Sequence, residues 1–375
     1  MASRCCGAER RDGPPSHRST GAPRQNGNRV THRVFDPLDD ADTRAADVLL
    51  NDESTTVVDT TAEQALSLGA LLPTPVAGPD EPVRWVHYPW RRSLVRLLGP
   101  VGFRRLRLDR NRDKLTLDEQ ARALDLRIGV VGLSVGHAVA HTLALEGLCG
   151  ELRLADFDEL DLSNLNRVPA TVFDLGVNKS VVAARRIAEV DPYLAVRTFP
   201  TGVDEAVIDD FLDGLDIVIE ECDSVAAKFL VREHARRRGI PVIMETSDGG
   251  VLDVERFDLD GARPFFHGLL GDLDLAGLAS LSAEDRGRLA PRILGAESIT
   301  PRMAASLPHI GTSLSTWPQL AGDVALGGAS VAAVVRAFVR GEAPASGRLR
   351  VGLDAALAHL EDPLTTGAGS PAATR

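Results

Sequence analysis

The chain has 375 residues, 44% of them hydrophobic, and 42 basic against 53 acidic side chains give it a net charge of −11. That length suits roughly two domains, or one large domain with appendages, and the acidic balance argues against tight binding to a nucleic-acid backbone. Cysteine occurs only at Cys5, Cys6, Cys149 and Cys222, with no Cys-x-x-Cys pair, which excludes a zinc ribbon and argues against a disulfide scaffold.

Residues 1–40 are rich in Arg, Gly, Pro and Ser without apolar periodicity, which predicts a disordered basic tail. Residues 41–107 read as a small N-terminal appendage. Within it, helices are expected over 41–50 and 61–72, and a strand over 55–59. Trp85, Tyr88 and Trp90 stand beside Arg91 and Arg92. Such a cluster can stack on a base, but docking of the appendage on a main domain is the preferred reading. That main domain is expected over 108–345. A helix over 118–126 precedes Arg127-Ile-Gly-Val-Val131, a strand too apolar to alternate, as in a parallel sheet covered on both faces. A glycine turn over 132–136 and a helix over 137–146 lead to a strand over 151–155 that ends at Asp156. Helices follow over 179–190, 204–212 and 225–238, with strands over 194–199, 216–219 and 241–244. Strands alternating with helices predict an α/β fold with a doubly wound, mostly parallel sheet. Beyond Asp253 the pattern weakens; residues 320–339 read as a pair of helices rich in small residues. Residues 346–375 are expected to be a C-terminal extension with a disordered end. No apolar run reaches the roughly 20 residues of a membrane helix, and residues 1–6 lack the apolar core of a secretory signal. A cytoplasmic protein with no membrane partner is expected.

The strand, glycine turn, helix and acidic strand end make a nucleotide-binding unit. A helix N-terminus offers free N–H groups and partial positive charge to a phosphate. Gly132 and Gly136 allow close backbone approach, and Asp156 can accept ribose hydroxyls. Ser134 stands where a dinucleotide fingerprint has its middle glycine, and the loop is one residue shorter. A plain tight turn would use the same residues.

The next stretch is more specific. It reads Asp156-Phe-Asp158-Glu-Leu-Asp161-Leu-Ser163-Asn164-Leu-Asn166-Arg167, then Gly176-Val-Asn178-Lys179, and later Glu220-Glu221-Cys222-Asp223. In order and spacing this resembles the ThiF/MoeB superfamily, bacterial relatives of ubiquitin-activating enzymes, and it covers residues 108–260 well. The resemblance implies a Rossmann-like fold and ATP-dependent adenylation of a carboxylate, with pyrophosphate released. The substrate would be the C-terminus of a small ubiquitin-like or sulfur-carrier protein. By the same resemblance Arg167 and Lys179 clamp the phosphates, and Asn164 and Asn166 position them. Asp158 stands in the same D-x-D strand end as the ribose-binding Asp156, and Asp223 holds Mg²⁺. Arg110-Asn111-Arg112-Asp113 echoes an upstream arginine motif, implying that Arg112 reaches the neighbouring subunit's site in a homodimer.

Each residue also has a plainer reading. Arg167 can cap a helix, Asp223 can be an N-cap, Asn164 and Asn166 can make a turn, and Lys179 can be a solvated first-turn lysine. Yet cations are disfavoured at helix N-termini. Only Lys114, Lys179 and Lys228 are lysines among the 42 basic residues, so a lysine there is a pointed choice. Two departures from the family stand out: no cysteine follows Cys222 to serve in a crossover loop, and the zinc-site cysteine pairs are missing. Adenylation without transfer to an enzyme thiol is therefore expected. The alternatives are a NAD- or FAD-binding oxidoreductase, which leaves the 163–167 and 176–179 motifs without purpose, and a non-catalytic ATP-binding scaffold.

Overall fold

The computed structural model describes residues 32–73, 81–248, 250–282, 285–286, 288–295 and 299–361. Residues 1–31 and 362–375, which hold most of the expected tail and the end of the extension, lie outside the described residues.

The N-terminal part contains β1 (Arg33–Phe35), α1 (Asp40–Leu50), β2 (Thr56–Asp59), α2 (Thr61–Gly69), β3 (Arg84–Tyr88) and β4 (Ser93–Leu97). The strands form one sheet in the order β1-β3-β4-β2. β1 falls inside the segment expected to be disordered: three residues are too few to show a period, and pairing with β3 makes the strand. Phe35, Ala46 and Leu94 pack between the sheet and α1. The aromatic cluster docks this sheet on the main domain, as preferred from sequence. The Tyr88 hydroxyl donates to the Ala188 carbonyl at 3.1 Å, and Trp90 Nε1 donates to Glu189 at 2.6 Å. Arg91 pairs with the same Glu189 at 2.8 Å.

The main domain continues through α3 (Pro100–Arg107), α4 (Leu117–Ala123), β5 (Arg127–Val131), α5 (Gly136–Glu146), β6 (Glu151–Ala155), α6 (Lys179–Val190) and β7 (Ala195–Phe199). It proceeds with α7 (Ile208–Leu212), β8 (Ile217–Glu220), α8 (Val225–Arg238), β9 (Val242–Glu245) and β10 (Val251–Glu255). Short helices α9 (Leu275–Ser280), α10 (Leu289–Leu294) and α11 (Pro301–Ser306) lead to α12 (Ala321–Arg340), β11 (Gly347–Arg350) and α13 (Leu353–Leu357).

The sheet order is β11-β10-β9-β8-β5-β6-β7, parallel from β9 to β7 and antiparallel at β10 and β11. Strand order reverses between β5 and β8. Ligands of doubly wound sheets bind at such a switch point, beyond the strands' carboxyl ends. Apolar clusters fill both faces: Ile128, Val130, Leu143, Ala183 and Val331 on one, and Val131, Phe211, Val218 and Phe229 on the other.

Two readings need correction. Residues 320–339 are not a helix pair but one helix, α12, and its Gly327 and Gly328 are close-approach points, not breaks. A Cβ on Gly328 would lie 3.1 Å from the Ala138 carbonyl, and one on Gly327 would lie 2.2 Å from Glu245 Oε2. α12 is also long and apolar enough to cross a membrane by length and composition. Here Val331 and Val335 are fully buried against the sheet domain, as in a core helix. Residues 347–350, read as part of an extension, pair with β10 at the sheet edge.

Candidate functional site

The loop after β5 is shaped by contacts that only glycine permits. Gly132 has φ +87°, and a Cβ there would lie 2.7 Å from the Glu221 carbonyl. A Cβ on Gly136 would meet Val130 at 2.7 Å. α5 starts at Gly136 with no side-chain cap, so its first amides point to the switch point for an anion to use. Asp156 braces the loop from β6: its Oδ2 accepts from Leu133 N at 2.7 Å and its Oδ1 from Asp158 N at 2.8 Å. Burial raises its pKa, and Lys179 and those amides pull it back.

Of the two expected cations, Arg167 reaches the loop itself and Lys179 stands at the β6 carboxylates that brace it. Lys179 opens α6 and is only 6% exposed, not the solvated residue of the plainer reading. Its Nζ pairs with Asp158 at 2.9 Å. Arg167 Nη2 donates to Ser134 Oγ at 2.8 Å, and its Nη1 donates to Asn166 Oδ1 at 2.9 Å. Burial lowers the Arg167 pKa, which the charge of Asp223 opposes. Arg167 is thus held by neutral acceptors in front of an uncapped helix, an arrangement suited to receiving phosphate oxygens.

Asp223 is exposed at the start of α8. Ser224, not Asp223, caps that helix, its Oγ accepting from Ala227 N at 3.3 Å. Among the described residues no three His, Cys, Asp or Glu side chains gather into a metal cluster. One free carboxylate fits a Mg²⁺ carried in on a triphosphate, which keeps waters and phosphate ligands. It does not fit a resident metal.

Two expected residues lie elsewhere. Asn164 is buried in its own turn, where its Oδ1 accepts from Asp161 N at 3.0 Å. Arg112 pairs with Asp109 at 2.7 Å and donates to the Leu72 carbonyl at 2.8 Å. Its neighbour Asn111 bonds the Glu146 carbonyl at the far end of α5, so within one chain Arg112 is remote from the loop. His137 is fully buried with both ring nitrogens unpartnered, and burial, then His141 and Arg186, push its pKa down to about 3. It packs the fold rather than meeting a ligand.

Sequence reading missed a buried charge network below the acidic turn. Glu220 has no exposure and pairs with Lys228 at 3.0 Å and Arg232 at 2.8 Å. Burial alone would raise its pKa, but the two cations hold it below the ordinary carboxylate value. Arg232 reaches on to Glu255 at 2.5 Å. Lys228 and Arg232 lie one helical turn apart, eight and twelve residues after Glu220, and that spacing was the available signal. Beside them, Glu221 Oε1 accepts from Glu245 N at 3.1 Å. Burial, then the neighbouring Glu245, raises Glu221, and burial, then Asp323, pushes Glu245 up to about 8.

Residues 108–266 match the ThiF family. The chain is 52% identical to "Uncharacterized protein MT1398" of Mycobacterium tuberculosis, over 87% of this chain and 46% of that protein. It is 33% identical to the tRNA threonylcarbamoyladenosine dehydratase of Haemophilus influenzae over 37% of this chain and 54% of that one. With the SAMP-activating enzyme E1 of Haloferax volcanii the identity is 31%, over 36% and 53%. The chain therefore spans about half the length of these curated relatives. Among solved structures, the tRNA threonylcarbamoyladenosine dehydratase of Escherichia coli is 19% identical, with a TM-score of 0.45 over 64% of this chain and 95% of that one.

Proposed function

We propose that this chain adenylates a carboxylate with ATP, a reading supported by the match of residues 108–266 to the ThiF family. The observation that carries the reading is Arg167 bonded to Ser134 beside the uncapped start of α5, with Asp223 facing it and Lys179 paired at the β6 carboxylates whose Asp156 braces the same loop. Attack of a carboxylate on the α-phosphate builds negative charge that such cations stabilise. The loop amides and Arg167 would hold the phosphates, and Lys179 would leave Asp158 to meet them. Asp223 would hold a Mg²⁺ that neutralises the pyrophosphate as it leaves. Relatives of matching sequence act as a SAMP-activating enzyme and as sulfur carrier protein adenylyltransferase, which supports a small carrier protein as the substrate. The same family likeness supports a homodimer in which Arg112 turns to its neighbour's site.

An enzyme thiol is not required in this scheme. Cys149 is buried between α5 and β6. Cys222 is half-buried, and burial, then Glu220, raises its thiol well above the ordinary value, so it is a poor nucleophile. Exchange of labelled pyrophosphate into ATP, driven by a carrier-protein C-terminus, tests the proposal. Wild type and Cys222→Ala should exchange alike, within about twofold. An acyl-thioester on Cys222, seen by intact mass and cleaved by a thiol, would overturn the thiol-free scheme.

A further inference from the structure

The segment 299–320 crosses the mouth of the site. Asn166 follows β6 and Ser247 follows β9, with β5 and β8 lying between those strands in the sheet. Gln319 bonds both: its carbonyl accepts from Asn166 Nδ2 at 2.9 Å, and its Nε2 donates to Ser247 Oγ at 3.0 Å. One residue thus bridges loops on either side of the switch point and roofs the crevice where the strand order reverses. A second tether lies upstream, where Thr300 N and Oγ1 donate to Asp248 at 3.1 and 2.8 Å. Between the tethers the roof is lightly held: no residue from 311 to 320 is buried.

The near end of the bridge is wired to the nucleotide loop. Asn166 that holds Gln319 also accepts from Arg167, and Arg167 in turn donates to Ser134 in the glycine loop. Four hydrogen bonds therefore run from Ser134 through Arg167 and Asn166 to Gln319 and Ser247. All of Arg167's partners along it are neutral acceptors. A phosphate oxygen carries negative charge that the Ser134 and Asn166 oxygens lack, and a phosphate can take a guanidinium in two parallel bonds, so it is the stronger partner. A bound triphosphate would draw Arg167 off Ser134 and Asn166 and leave the Asn166 side chain free to turn.

We propose that Gln319 is a positioning residue whose bridge bars the carboxylate substrate, not the nucleotide, so that this substrate gains access only after ATP. This rests on the ATP reading above and adds an order of events to it. The wire needs no long-range shift, because its links are adjacent side chains and the roof at its end has little buried surface to lose.

Hydrogen exchange over residues 307–320, measured on the full chain with and without the Mg²⁺ complex of β,γ-methylene-ATP, tests the order. In wild type, nucleotide should speed exchange there by about fivefold or more. Asn166→Asp keeps an acceptor for Arg167 but loses the donor to Gln319, and should show that fast exchange with no nucleotide present. Ser247→Ala cuts only the far tether and should retain the nucleotide-dependent rise. Calorimetry on the same samples separates two failures. Bound nucleotide with unchanged or slower exchange overturns the relay alone. No bound nucleotide overturns the ATP reading, and the relay with it. A nucleotide-dependent rise that persists undiminished in Asn166→Asp would show that Asn166 is not the link, and would also overturn the relay.

Discussion

Replacing Arg232 by methionine should cost the fold about 3–5 kcal/mol, the usual penalty for breaking a buried ion pair from one side. Arg232 has no exposure, and its guanidinium lies 4.0 Å over the Phe266 ring while it bonds Glu220 and Glu255. Methionine fills much of the volume, so the loss is electrostatic rather than a cavity. Glu220 keeps Lys228, whereas Glu255 keeps the amide of Phe266, at 2.6 Å, and the weaker pull of His267. Burial already holds the Glu255 pKa above its ordinary value, and Arg232 is the largest force restraining it. Without Arg232 it rises further. A carboxyl raised in the folded state takes up protons that the unfolded state does not, so stability recovers as pH falls and is lost as pH rises through the folded pKa. Urea midpoints of wild type and Arg232→Met should therefore lie farther apart at pH 8 than at pH 5. Equal midpoints, or a gap that widens in acid, would contradict the network's role.

Removing the cations should act on ligand binding instead. Each charge-assisted bond to phosphate is worth about 1.5–3 kcal/mol, or roughly 10- to 150-fold in affinity. Arg167→Ala should lower ATP affinity by at least that factor, and Lys179→Met by about tenfold or more. Methionine is chosen because Lys179 is buried along its length. Its partner Asp158 has a side chain 52% exposed, so water replaces the lost contact. Both variants should keep the wild-type circular dichroism spectrum. Loss of fold in Lys179→Met, or unchanged nucleotide affinity in both, would return these residues to a structural role.

The parts of the fold that were legible in the sequence are those where local pattern and tertiary environment agree. Arg127–Val131, Lys179–Val190 and Val225–Arg238 appear as read, because a strand apolar from Ile128 to Val131 and long capped helices carry strong local signals. β1, β3, β4, β10 and β11 were missed, since pairing rather than period fixes them: Arg33–Phe35 by β3, Arg84–Tyr88 by β4, and Val251–Glu255 by β9 and β11. In the site, the glycine loop, Asp156, Asp158, Arg167 and Lys179 were readable because motif order places them on consecutive strand ends and helix starts. Gln319 was not, because its contacts lie 153 and 72 residues away along the chain. Glu220, Lys228 and Arg232 were likewise hidden, because a strand residue and a helix face become partners only once β8 and α8 pack.

The central claim is that this switch point takes a triphosphate rather than a dinucleotide. Titration calorimetry of the full chain with ATP, NAD⁺ and FAD, each with and without Mg²⁺, tests it most directly. ATP should bind in the micromolar-to-millimolar range, more tightly with Mg²⁺ because Asp223 shares the metal, while NAD⁺ and FAD should give no saturable heat. Saturable binding of NAD⁺ or FAD with none for ATP would contradict the assignment of Arg167 and Lys179 to phosphates and turn the site into that of an oxidoreductase.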